Sequence, residues 1–316
     1  MFGNQEVVRE RAANFFMLFE VLRSLEQTEE AWCRIQGSLN ADQPITAGIG
    51  LAIGRFDADD AAYIDAHRRV LDGFALLRDT DVIIERGGHG YPHRLAQTAD
   101  APAFLFVRQD QNVLDLPSLS IVGTRKASEE GCSRARRLAH LLTRCGIAVC
   151  SGLARGIDEA AHLGALEAGG VTIAVVGTPI TRVYPKEHAA LQERIGFVGA
   201  VVSQFHPASS TLPLCFPLRN ATMSGLSLGT VVIEASKTSG ALIQARKSLQ
   251  QGLKVFIPRS AVEDPQLDWP KQYADKPGAH VFGTIDELLS VLEAEKLVPQ
   301  REAVPAAATA VGLHAS

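Results

Sequence analysis

Four short turns in this chain carry the residue types that hold an anion. They are Gly123-Thr124-Arg125, Ser151-Gly152, Gly177-Thr178 and Ser239-Gly240, and each lies between an apolar run and a helical pattern. Backbone N–H groups and hydroxyls at helix starts suit phosphate. Glycine lets a backbone approach a ligand closely, and an arginine adds planar paired donors. Lys186, Arg219 and Asn220 extend the set. Lys186 stands at a predicted helix start, where the dipole disfavours a cation unless an anion lies nearby. Arg219 can grip a phosphate, Asn220 can cap a helix or bind a base, and Phe216 can stack on one. Plainer readings stand beside these: a tight turn with a surface Arg, or a solvated Lys. Asp158 reads as a helix N-cap and His162 as a packing or surface residue. Glu234, inside an apolar strand, reads as a brace for Arg219 or Arg125. The first turn is not G-x-G-x-x-G, and Gly-Lys-Ser/Thr is absent, which disfavours the common dinucleotide and ATP sites.

The elements that must position these turns follow from the apolar runs at 118–123, 147–152, 171–177, 198–205 and 229–237. None alternates apolar with polar, as expected of strands covered on both faces. If the strands are parallel and aligned, their turns meet at one sheet edge, where open α/β sheets bind ligands. Ser128 before Glu129 and Glu130 predicts an N-cap with first-turn acids. Cys132, Ala135, Leu138, Leu142 and Cys145 follow on one predicted apolar face, and Gly146 ends the helix. KVFIP reads as a last strand, and DVIIER (81–86) and APAFLFVRQ (101–109) as two earlier strands packed on the main sheet. Residues 261–280 read as irregular, and IDELLSVL as a closing helix. The fold class is therefore α/β: an extended Rossmann-like parallel sheet with helices on both faces, preceded by a small helical N-terminal domain. The expected divisions are 1–80 helical, 81–295 Rossmann-like, and 296–316 a disordered tail.

Charge is distributed unevenly. Residues 118–260 hold 16 Lys and Arg against 8 Asp and Glu, or +8, whereas the remainder carries −12. A basic centre with acidic flanks points to an anionic partner; chance clustering on solvated helix faces is the alternative. The five cysteines form no C-x-x-C pair, which argues for a reducing compartment and against a zinc site. Charges interrupt the N-terminus where a signal peptide needs an apolar core. The uncharged stretch Ile195–Leu218 contains three prolines, so it reads as a strand plus a loop. A cytoplasmic protein is expected.

GTRKAS, SGLARGIDEAAHLGALEAGG, TIAVVGTPITRVYPKEH, FPLRN and GLSLGTVVIEASKTSGALIQA together resemble the DNA-processing protein A (DprA/Smf) family. GYPHRL and LFVRQ extend the likeness upstream. The resemblance implies a Rossmann-like core that binds single-stranded DNA, protects it during natural transformation, and loads the RecA recombinase onto it. It also implies a homodimer; no cofactor and no membrane partner are expected. Carried over, Gly123, Thr124 and Arg125 match the family's phosphate turn, and Ser151, Gly152, Gly177 and Thr178 match the adjoining turns. Lys186 matches a DNA-contacting position, and Arg219 and Asn220 match the Phe-Pro-x-Arg-Asn element. Ser239 and Gly240 complete the expected row. His188 stands where the family's Tyr-Pro-x-Glu-Asn has Asn. Ala221, Gln204 and Gln244 replace Arg, Glu and Thr. A catalytic reading is weaker. Phosphoribohydrolase-like relatives of the fold would use Glu234 as the catalytic carboxylate, but their Pro-Gly-Gly-x-Gly-Thr turn is missing. A sensor of a nucleotide signal is a third possibility.

Overall fold

The computed structural model describes residues 2–38, 61–236 and 239–299. The apolar runs form strands where expected: β1 (Asp81–Glu85), β2 (Phe104–Gln109), β3 (Ser118–Gly123), β4 (Ala148–Ser151), β5 (Thr172–Val175), β6 (Ala200–Ser203), β7 (Gly229–Glu234) and β8 (Lys254–Pro258). A further strand, β9 (Ala279–Phe282), pairs with β8. The sheet order is β1-β2-β6-β5-β4-β3-β7-β8-β9. Neighbours from β6 to β9 are parallel; β2 runs antiparallel to β6, and β1 antiparallel to β2. The chain therefore starts its parallel sheet in the middle, at β3. It winds one way through β4 to β6, then returns to the other side at β7. The crevice beyond the ends of β3 and β7 is the topological switch point, where ligands of such sheets bind. A register shift between Val122 and Gly123 marks the end of this pair, where Gly123 lies opposite Glu234 and the Thr124 N–H donates to Glu234 O.

Alternate residues of each central strand enter opposite cores. Val122, Cys150, Ile173, Val202, Val232 and Val255 face one apolar cluster, whereas Ile121, Val149, Val231 and Phe256 face another. Helices cover both faces. Among the described residues the longer ones are α1 (Phe2–Leu22), α2 (Leu25–Ser38), α3 (Ala61–Phe74), α4 (Glu129–Arg144), α5 (Ile157–Glu167), α6 (Ala189–Val198), α7 (Cys215–Leu226), α8 (Gly240–Gln250) and α9 (Ile285–Ala294). Helices α1, α2 and α3 lie on the β2–β6 part of the sheet. Phe15, Phe16, Trp32 and Phe74 meet Phe104 and Phe106 of β2 there, with ring centroids 5.4–6.2 Å apart between the helices and the strand. Part of the N-terminal helical expectation (39–60) and most of the expected tail (300–316) lie outside the described residues. Leu297 and Val298, within the expected tail, pack half-buried against the core beside α9.

Two local expectations need correction. Residues 261–280 are not irregular throughout: the helix Trp269–Ala274 lies among them, and β9 begins at Ala279. Four residues, one of them His280, make too short a pattern to stand out. Cys145 does not share the apolar face with Cys132; it is the exposed C-cap of α4, while Cys132 is half-buried. Thirteen residues at roughly 100° each turn the helix about 220° beyond whole turns, so the two cysteines diverge.

Helices α4 and α5 approach so closely that a Cβ at Gly164 would overlap the backbone carbonyl of Arg136. Alanine would gain roughly 0.5–1 kcal/mol of helix propensity but would overpack a backbone contact at about 1–3 kcal/mol or more. Gly164→Ala is therefore expected to lower stability by roughly 1–2 kcal/mol net in urea unfolding. A gain in stability would show that the helices part without cost.

Candidate functional site

Beyond the carboxyl ends of β3 and β7 lies a recess of about 330 Å³, and two of the four expected turns form its walls. Gly123, Thr124 and Arg125 form one side, Ser239 and Gly240 the other, with Arg219 and Asn220 of α7 between them. The local sequence builds these walls as caps. Ser128 Oγ accepts the Gly131 N–H at the start of α4, and Ser239 Oγ accepts the Ala241 N–H at the start of α8. Thr238, beside Ser239, lies outside the described residues.

The exposed groups form a run along the rim. Arg125 is solvent-exposed, and its guanidinium carbon lies 5.4 Å from the centre of the Phe216 ring, within cation–π distance. Phe216 in turn packs against the half-exposed Tyr184, centroid to centroid 5.8 Å. Two residues on, Lys186 is exposed in a single 3-10 turn (Lys186–His188) that precedes α6. Tyr184 was not singled out from the sequence. The available signal was an aromatic residue in a loop between Arg182 and Lys186.

Arg219 points inward rather than along the rim. It is 5% exposed. Its Nη1 donates to the carbonyls of Gly152 and Val175, both at 2.6 Å, and its Nε donates to Asn220 Oδ1 at 3.0 Å. Gly152 serves this contact, because a Cβ there would overlap the guanidinium. Gly177 likewise makes room for Phe216. Ser151 is buried and donates to Ile121 O at 2.7 Å; Thr178 is buried and donates to Arg182 O at 3.1 Å. These four residues shape the second and third turns, and their side chains do not line the recess.

The acidic residues also differ from expectation. Asp158 is not an N-cap: Gly156, at φ 79°, holds that position. The Asp158 carboxylate turns back to accept the N–H groups of Gly152 and Ala154 at 3.1 and 3.4 Å. Burial pushes this carboxyl upward, opposed by Arg219 and the two N–H groups. Burial also pulls Arg219 below its usual value, opposed by Asp158. Glu234 braces neither arginine but accepts from Ser128 N and Oγ, at 3.2 and 2.7 Å, tying β7 to the mouth of α4. His162 is fully buried with Nδ1 2.7 Å from Thr172 Oγ1, and burial lowers it to about 3, so it stays neutral.

Part of the basic excess is met inside the molecule. Acids outside 118–260 pair with it: Asp100 with Lys247, Glu295 with Lys254, and Glu287 with Arg259. Among the described residues no group of three or more His, Cys, Asp or Glu is placed to hold a metal, and no helix is long and apolar enough to cross a membrane.

Fold and site together define a doubly wound α/β protein with a polar recess at its switch point and a cation–aromatic rim beside it. The family model described as DNA recombination-mediator protein A matches residues 82–293, and the chain belongs to that family. The DNA processing protein DprA of Streptococcus pneumoniae is 35% identical over 209 residues, 66% of this chain and 70% of the relative. Protein Smf of Escherichia coli is 38% identical over 204 residues; the match covers 64% of this chain and 54% of Smf. The solved structure of DprA from S. pneumoniae superposes with a TM-score of 0.73 at 26% identity, over 91% of this chain and 97% of that one. A structure of the Helicobacter pylori protein, described for its single-stranded DNA binding mode, superposes with a TM-score of 0.59 at 24% identity, over 68% and 96% of the two chains.

Proposed function

We propose that the rim and recess bind single-stranded DNA without catalysis, and that the protein acts as a recombination mediator that protects incoming strands and loads RecA onto them during natural transformation. The observation that carries this reading is the run Arg125–Phe216–Tyr184–Lys186. Cations flanking a pair of partly exposed rings suit alternating phosphates and bases of an unpaired strand, with little preference for sequence. Family membership, the relatives' names and the H. pylori description support the same reading. The Glu234 carboxylate is engaged with Ser128, which favours binding over hydrolysis. A cytoplasmic homodimer belongs to the same proposal, as does the division into a helical N-terminal unit (1–80) and a Rossmann-like unit (81–295).

A salt titration of oligo-dT binding tests the reading. Affinity should fall log-linearly with salt, and Lys186→Ala should reduce the slope by about 0.7, one released counterion on a single strand. At low salt the variant should bind roughly 3- to 10-fold more weakly. A flat salt response would refute a polynucleotide ligand. Incubation with nucleoside monophosphates is the second arm: released base would establish the phosphoribohydrolase-like alternative, and saturable binding without turnover the sensor.

A further inference from the structure

The third turn is held to the second by two cross-links. Arg155 pairs with Glu187 on the surface. Beneath them His188, 4% exposed, lies between two acceptors: its Nδ1 is 3.0 Å from the carbonyl oxygen of Leu153, and its Nε2 is 3.3 Å from Glu159 Oε2. Leu153 is itself fully buried and held at φ 57°, so this carbonyl has a fixed position. A carbonyl only accepts, so Nδ1 must carry a proton for this hydrogen bond. Glu159 as a carboxylate also only accepts, so both bonds form together only when the ring is an imidazolium. A neutral ring bonded to Leu153 turns a lone pair toward Glu159.

We propose that His188 is a positioning residue for the binding rim, fastening the Tyr184–Lys186 turn to the Leu153 turn through its two ring nitrogens and making the grip on a polynucleotide dependent on pH. The inference rests on the single-strand reading above. The ionisable groups around the ring are consistent with it. Glu159 and His162 face it from α5, Glu187 and Lys186 precede it, and Arg155 lies across the turn. His162 stays neutral and adds no competing charge, while Arg155 and Glu187 satisfy each other. The family pattern has Asn at this position; its amide N–H offers one donor toward Leu153, but the side chain is too short to reach both acceptors.

The test measures oligo-dT affinity at constant ionic strength from about pH 5.5 to about pH 8, across the range in which imidazoles ordinarily titrate. Wild type and His188→Asn are compared. Wild type should weaken by on the order of 3- to 10-fold more than His188→Asn over this range, through loss of one charge-assisted hydrogen bond. His188→Asn should keep near-wild-type affinity at the upper end, whereas His188→Ala should bind weakly throughout. Hydrogen exchange of the 184–189 segment, corrected for intrinsic rates, provides a readout without DNA: protection should decline with rising pH in wild type and stay level in His188→Asn. Equal pH dependence of wild type and His188→Asn in the exchange experiment overturns the proposal. If wild type binds no oligo-dT at any pH, the single-strand reading fails while exchange still decides the tether.

Discussion

Replacing Arg125 and Phe216 together by alanine is expected to weaken oligo-dT binding on the order of 100-fold at moderate salt. The two side chains lie on one another, so a strand that stacks a base on the ring also brings a phosphate near the guanidinium. Loss of the ring removes a stacking platform worth about 1–3 kcal/mol per base, and loss of the cation removes a phosphate contact. Arg125→Ala alone should lower the salt slope by about 0.7, whereas Phe216→Ala alone should leave the slope nearly unchanged while lowering affinity. Because the residues touch, the single effects should not add, and a double-mutant cycle reads the coupling. Fluorescence anisotropy with a labelled oligonucleotide measures all four proteins. Circular dichroism melts guard against misreading a structural defect, since Phe216 also covers Gly177. Wild-type affinity in the folded double variant would remove the rim from the binding face.

Arg219→Met should behave in the opposite way, lowering stability by about 3–5 kcal/mol, as expected when one partner of a buried charge network is deleted. The Gly152 and Val175 carbonyls each lose a donor at 2.6 Å, and buried Asp158 loses the positive charge that most favours its ionised form. Methionine fills much of the volume but supplies no donor. Lysine supplies a charge yet lacks the planar fork that reaches the Asn220 side chain as well as both carbonyls. The urea midpoint should therefore fall steeply in Arg219→Met and hardly at all in Arg125→Ala, where the side chain is exposed. The contrast separates an arginine that builds the turn from one that meets the ligand. Unchanged stability in Arg219→Met with lost DNA affinity would return Arg219 to the role of a phosphate clamp.

Both experiments turn on a distinction that local pattern does not encode. Arg125 and Arg219 are each an arginine beside a turn, and the motif gives them the same meaning. They differ because Phe216 lies under one and Gly152 opens a socket for the other, and both relations cross from one strand–helix unit to another. Glu234 shows the same limit. Its carboxylate reaches Ser128, 106 positions away, only because β7 pairs with β3. Tyr184 joins Phe216 only when the third turn and α7 meet at the sheet edge.

What was legible in the chain was the part set by near neighbours. The apolar runs without alternation marked strands buried on both faces. Ser128 marked a helix start through its own hydroxyl, and the turns between strand and helix marked the sheet edge where the recess lies. What only the tertiary structure decided was the strand order that places β3 beside β7, the inward aim of Arg219, the addition of β9, and the rim built from residues of separate units. Period and capping act over a few bonds, whereas side-chain direction and partner depend on packing among elements distant in the sequence, where burial selects which polar groups meet.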